Sequence, residues 1–372
     1  MRFLGLLGGV LFCLWLLLLV SKSLSFSKET LLTILLLLWI CVLQILWYPI
    51  VSARVDQSIV LSTLGSTFAA PWILWMGGSG FAYIILYRKR LFTTAVAIVY
   101  LSLTAIVILG VLRGVSLYGS PVMAVWNPAV GEVFNHITLS DSIALIGLFA
   151  LGLMGTGRNT IIKVILLYGL TLFILVFSYS RLALYGFTAV GLFLIGLRAK
   201  DTRWRIITRG EIVFIILLLI GIGFLLTTHF SHQSWIALER MVGIWTGNDP
   251  SLQGRSYLLE KGLIMLQRNW LLGQFMIEVI EIGRGSYIHN WLSFWLAYGI
   301  GPFLLSTWLI AILLIKSWHS RERNEHGILA FCVLAYCVLC ITLGRSYIWP
   351  YIWFGVGLTD SILLFSSKKL PK

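Results

Sequence analysis

Charge is what this sequence has least of. Only 11% of its 372 residues are charged, and 14 acidic side chains stand against 28 lysines and arginines. With 59% of the residues hydrophobic and a mean hydropathy of +0.94, the chain has too little polar surface to cover a water-soluble domain. Cysteine is scarce as well. Cys13, Cys41, Cys332, Cys337 and Cys340 all fall in apolar windows, their number is odd, and their spacing suits neither a disulfide framework nor a metal site, so they read as buried thiols. No cluster of carboxylates of the kind that holds a divalent cation is present. Strict alternation of apolar and polar residues is also missing. Runs such as Leu31 to Trp47 and Ile212 to Leu226 are apolar on every side, which excludes the strands of a membrane barrel. No small-residue cleavage site follows Val20, so the first apolar window reads as a retained helix rather than a signal peptide.

What the sequence has in abundance is long apolar runs. A helix needs roughly 20 apolar residues to cross a hydrocarbon core, and it satisfies its own backbone there. Such windows fall at about 3–20, 30–48, 67–87, 91–112, 138–156, 161–179, 182–197, 212–228, 289–315, 327–343 and 347–365. The expectation is an all-α, polytopic membrane protein of about 11 spans, in the range 10–12. Residues 1–372 would form one membrane domain.

Basic residues resist translocation and so report orientation. Alternating the spans puts Lys22, Lys28, Arg88–Lys89–Arg90, Arg158, Lys163, the basic run from Arg198 to Arg209, Lys316, Arg321, Arg323 and the C-terminal lysines on one side. That side holds 18 of the 28 basic residues and is expected to be the cytoplasm, with the C-terminus. The net charge of +14 is then mostly topological and calls for no nucleic-acid partner.

Three segments on the other side are more polar than their surroundings: 49–66, 113–137 and 229–288. The last, about 60 residues, is far longer than a helix connection requires. Within it Leu259, Leu263, Leu266 and Trp270 recur at helical spacing and predict an amphipathic helix ended by Asn269 and Gly273. Such a helix either lies on the bilayer surface or walls a cavity above it; amphipathicity alone does not choose. His289 follows where the chain re-enters the membrane. It is either an interfacial side chain or a group able to accept a proton near neutral pH. Arg181 ends Phe177-Ser178-Tyr179-Ser180-Arg181, between two apolar runs with almost no loop, and Arg345 sits in a similar turn. Each either snorkels or offers a fork matched to phosphate oxygens.

In order and spacing these pieces resemble the O-antigen ligase and O-antigen polymerase superfamily of bacterial inner-membrane glycosyltransferases. The resemblance rests on Ser180-Arg181, on Gly254-Arg255 before a helix ending Asn269-Trp270-Leu271-Leu272-Gly273, on His289-Asn290 with Gly299 and Gly301 beyond, and on Arg345. Tyr48-Pro49 and Val55-Asp56-Gln57-Ser58 look like the family's early outer loop. Gly299-Ile300-Gly301 is tighter than the family's Gly-x-x-Gly.

The resemblance implies a fold of the C-type glycosyltransferase class and a metal-independent, inverting transfer on the periplasmic face of the inner membrane, with no cofactor. The donor would be an oligosaccharide on undecaprenyl pyrophosphate. The acceptor would be another lipid-linked repeat unit in a polymerase or the lipid A core in a ligase. Membrane lipids and a chain-length regulator are the other expected partners. Arg181, Arg255 and Arg345 would bind the pyrophosphate and His289 would receive or orient the acceptor proton, with Glu260 and Asp141 as alternative bases. Polymerase and ligase are close to even, with a slight lean to polymerase. A polysaccharide or lipid transporter is the rival of another class, but transporters place ionisable groups near the bilayer midplane and often repeat internally. Here the apolar runs hold few ionisable residues and no repeat is visible.

Overall fold

The structure is a computed structural model that describes residues 27–118, 126–127, 132–133, 136–153, 158–178, 180–201, 250–283, 285–320 and 325–367. In chain order its helices are α1 (Lys28–Ser52), α2 (Gln57–Leu64), α3 (Ala70–Tyr87), α4 (Lys89–Tyr118), α5 (His136–Leu153), α6 (Arg158–Phe177), α7 (Arg181–Asp201), α8 (Pro250–Asn269), α9 (Ile277–Glu281), α10 (Leu292–Tyr298), α11 (Ile300–Ser320), α12 (Glu325–Leu343) and α13 (Tyr351–Ser367). Among the described residues the only extended pairing is a two-residue antiparallel one, Trp126–Asn127 with Glu132–Val133. The protein is therefore all-α.

Five helical stretches are long and apolar enough to cross a membrane: Lys28–Ser52, Gln57–Tyr87, Lys89–Arg113, Ile300–Ser320 and His326–Leu343. Four shorter apolar helices cover Ile137–Leu153, Lys163–Phe177, Arg181–Leu197 and Tyr351–Ser366. Together they meet nine of the expected windows. The windows at 3–20 and 212–228, and the segment 229–249, lie outside the described residues.

The chain forms two compact units, Met1–Phe92 with Gln253–Lys372, and Thr93–Leu252. In the first, α1 starts where the Ser27 hydroxyl accepts the Thr30 N–H at 2.8 Å, satisfying one of the amides that a helix start leaves open. Asp56 caps α2 in the same way, accepting Ser58 N–H at 2.7 Å. A π-helical turn, Gly65–Ala69, then joins α2 to α3. Residues 49–66, expected as an outer loop, are thus mostly helix, and the chain turns only around Ala53–Asp56.

Helices α3 and α13 pack most extensively. Small residues let their backbones touch: a Cβ on Gly78 would lie 2.3 Å from the Phe354 carbonyl oxygen, and one on Gly357 2.1 Å from that of Trp75. In lipid, where apolar side chains gain nothing by leaving solvent, such close van der Waals contact is what joins helices.

The two ends of this unit differ. At one, Lys316 near the end of α11 meets Glu29 at the start of α1 at 2.6 Å, and the Tyr83 and Tyr87 rings near the end of α3 meet Phe365 near the end of α13. Lys28, Arg88–Lys89–Arg90 and Lys316, which the sequence put on one side, belong to that end. The other end carries residues 253–299 and the turn from Gly344 to Pro350.

There the expected helix over 289–315 is broken in two. Gly299 has φ +81°, and a Cβ on it would lie 2.3 Å from the Leu271 carbonyl oxygen. Gly273, with φ +62°, faces it so closely that its own Cβ would lie 2.3 Å from the Gly299 nitrogen. Left-handed backbone and the absence of a side chain are both required here. The Ile300 N–H donates to the Trp270 carbonyl at 3.1 Å, Gln274 N–H to Leu296 at 2.8 Å, and the Trp295 indole N–H to Trp270 at 2.7 Å. The turn after α8 is therefore bolted to the break between α10 and α11, and a periodicity reading over 289–315 misses it because both halves are apolar.

In the second unit α5, α6 and α7 pack on one another, with the Tyr168 and Phe187 rings stacked at 5.4 Å and the Tyr100 hydroxyl of α4 bonded to Thr171 at 2.9 Å.

Candidate functional site

Helix α8 is amphipathic, as its spacing predicts, but its buried face is rotated from the expected stripe. Met265 and Leu266 are buried and Leu259 half-buried, while Leu263 is 41% and Trp270 53% exposed. The buried side packs with Ile277, Ile288 and Leu296. A Cβ on Gly262 would strike the Ile288 side chain at 2.2 Å. One side of α8 thus lies against the turn that carries His289, while Leu263, Ile264, Trp270, Leu271 and Leu272 remain exposed. One side of the helix packs on this end of the unit and the other presents an apolar edge outward.

His289 lies in the irregular stretch Gly285–Trp291 that precedes α10, not in a helix, and it is half-buried. Burial, and then the positive charges of Arg255 and Arg345, hold its imidazole below the ordinary histidine range. Each cause disfavours adding a positive charge. Arg255 on α8 and Arg345 in the turn between α12 and α13 both act on this ring, with Arg345 only 7% exposed. The chain around His289 is held by the bolt between the Trp270 turn and Gly299, and by a second tie. The Tyr347 N–H donates to the Ser293 hydroxyl at 2.8 Å, and that hydroxyl donates to the Asn290 carbonyl at 2.7 Å. The Asn290 side chain caps α10 by accepting Leu292 N–H at 3.0 Å.

The sequence reading missed a carboxyl here. Glu278 of α9 is 2% exposed, and its Oε1 accepts the Ile288 N–H at 2.7 Å. Burial raises its pKa to about 8, opposed in part by that hydrogen bond. Tyr347 is its neighbour. Burial first, and then the Glu278 charge, push the phenol well above its usual range, and the hydroxyl is buried without a hydrogen bond of ordinary geometry. The signal for Glu278 was available: it is a lone acid in Phe275-Met276-Ile277-Glu278-Val279-Ile280, where five apolar neighbours leave it no exposed face.

Arg181 belongs to the second unit, where it opens α7, half-buried. The Ser180 hydroxyl accepts Ala183 N–H at 3.4 Å. The Ser140 hydroxyl donates to the Ser178 carbonyl at 3.2 Å, which brings the buried Asp141 of α5 to the same end of that unit as Arg181. Glu260 is exposed on α8. Cys41, Cys332, Cys337 and Cys340 are buried thiols, and Cys13 lies outside the described residues. Among the described residues no three His, Cys, Asp or Glu side chains group so as to hold a metal ion.

As an assembly, an imidazole in the positive field of two guanidiniums can receive a proton while the cations attract an anion. No family model matches this chain, and no curated protein is similar enough to it to match.

Proposed function

We propose that this protein transfers a glycan from undecaprenyl pyrophosphate to an acceptor sugar on the periplasmic face of the bacterial inner membrane, most simply as a polymerase of O-antigen or a related surface polysaccharide. The fold would be of the C-type glycosyltransferase class, with about 11 spans once the windows at 3–20 and 212–228 are counted. One observation carries the proposal: Arg255 and Arg345 both act on His289, at the end of the first unit away from Lys28, Arg88–Arg90 and Lys316.

The chemistry that follows is an in-line displacement. The acceptor hydroxyl oxygen forms the new bond to the anomeric carbon, the bond from that carbon to the pyrophosphate oxygen breaks, and the leaving group keeps the electron pair. Charge grows on the pyrophosphate as this happens, and fixed guanidiniums stabilise it with little reorganisation. His289 receives the acceptor proton. The depressed basicity of His289 has a use here. Pyrophosphate between the two arginines would cancel their field at the imidazole, so the base gains proton affinity when the donor is bound. Arg181 is a further candidate for binding the pyrophosphate.

The late Arg345 and the segment around Asp56 also suit a ligase. Deleting the gene and displaying surface polysaccharide by chain length separates the alternatives. A polymerase leaves core carrying one repeat unit, a ligase leaves core with no O-chain, and an unchanged ladder rejects both and returns the transporter to consideration.

A further inference from the structure

His289 stands in a stretch without helical hydrogen bonds, entered through Gly283 (φ +122°) and Gly285 (φ +83°). Conformations of that kind are open to many alternatives unless something outside them intervenes. Two side chains do. Ser293 holds Asn290, immediately after His289, and ties it to the Tyr347 backbone. Glu278 holds Ile288, immediately before it, at 2.7 Å. The Ile288 side chain is itself 1% exposed and locked among Met265, Leu266, Ile277 and Leu296.

We propose that Glu278 is a positioning residue: through the Ile288 amide its buried carboxyl fixes the turn that carries His289. The carboxyl does not touch the reacting atoms. What the turn needs from it is an acceptor of the right reach. A glutamine has the same reach and acceptor, whereas an alanine leaves a buried N–H unsatisfied, a loss that unbalances such a site by more than an ordinary hydrogen bond. Because productive geometry tolerates little displacement, a turn released by about 1 Å lowers the rate roughly a hundredfold while substrate binding elsewhere persists.

The role of Glu278 in catalysis rests on the transfer reaction proposed above, but its hold on the turn does not, and the experiment reads the two separately. Full-length protein in lipid nanodiscs, as wild type, E278Q and E278A, is assayed with an undecaprenyl-pyrophosphate-linked repeat unit from host membranes. Hydrogen–deuterium exchange is followed over residues 285–291. E278Q is expected to keep kcat within about threefold and native exchange. E278A is expected to lose roughly tenfold to a hundredfold in kcat with KM little changed. Its amides at 286–290 should exchange about tenfold faster or more, with α11 to α13 unaltered. If E278A does not fold, E278D, one methylene too short, takes its place with the same expectation. Native exchange in E278A or E278D overturns the proposal. So does an E278Q as inactive as E278A, because glutamate would then be needed as a proton carrier. If the wild type transfers nothing, it is the reaction that fails, and exchange alone decides whether Glu278 holds the turn.

Discussion

The two ends of the first unit use charge in opposite ways. At the α1 start, opposites are matched. Asp360 of α13, 3% exposed, accepts from the Ser27 hydroxyl at 2.7 Å and from Thr30 at 2.5 Å, and Lys316 meets Glu29. At the His289 end, like charges are gathered: two guanidiniums press on one imidazole and lower its proton affinity. Buried charge is tolerated when paired and hydrogen-bonded, and the first arrangement is of that kind. The first therefore reads as a fastening of α1 to α11 and α13, and the second as positive charge acting on the proposed base.

The comparison can be broken most directly at His289. His289→Ala is expected to abolish transfer, a loss on the order of a hundredfold or more, while the protein keeps its size-exclusion profile and melting temperature. Arg181→Ala is expected to do the same, and wild-type rates in either purified variant would remove that residue from the site. Next comes the field itself. Arg255→Gln removes a positive charge that disfavours the imidazolium, so His289 would protonate at higher pH. The acid limb of the rate profile, expected below the ordinary histidine value of about 6.5 in the wild type, should move upward in the residual activity of this variant. An unmoved limb would mean that His289 does not set it.

Glu278 makes a third test, on stability. Its folded pKa is about 8 against an ordinary value of 4.5. Above the lower value the unfolded chain gives up a proton that the folded chain keeps. Stability should therefore decline as pH rises from about 4.5 through about 8. E278Q should flatten that decline, measured as melting temperature against pH in detergent.

The fastening end predicts smaller and different effects. Asp360→Ala removes both hydroxyl bonds and should cost about 1–3 kcal/mol of stability, leaving the pH profile of transfer untouched. Asp360→Asn keeps an acceptor and should cost less. Lys316→Ala should cost least, below about 1 kcal/mol, because the lysine is 52% exposed. An altered pH–rate profile in any of these three would erase the distinction between the ends.

Much of this was legible in order along the chain. Each apolar window that the structure describes meets a helix, although the one at 289–315 is broken at Gly299, because a helix that meets lipid must be apolar over a whole run and that is a local property. His289 and Arg345 were singled out for the same reason, each being a polar residue at the margin of an apolar run, whereas Arg255 came from the resemblance alone. The rotated face of α8 was not legible, because its spacing suits either a buried stripe or an apolar edge turned outward, and only the contact of Gly262 with Ile288 chooses. Nor was the break at Gly299. Two apolar half-helices look like one until the Trp270 turn is seen lying against them.

By itself, then, the sequence determined a predominantly α-helical chain with several helices apolar enough to cross a membrane, because hydrophobicity acts on each segment independently. It also marked the few polar residues at the margins. Only the tertiary structure decided that the charges of Arg255 and Arg345 act on the His289 imidazole, and that a carboxyl from α9 accepts the Ile288 amide. Those relations join residues ten or more positions apart, and no local pattern encodes them.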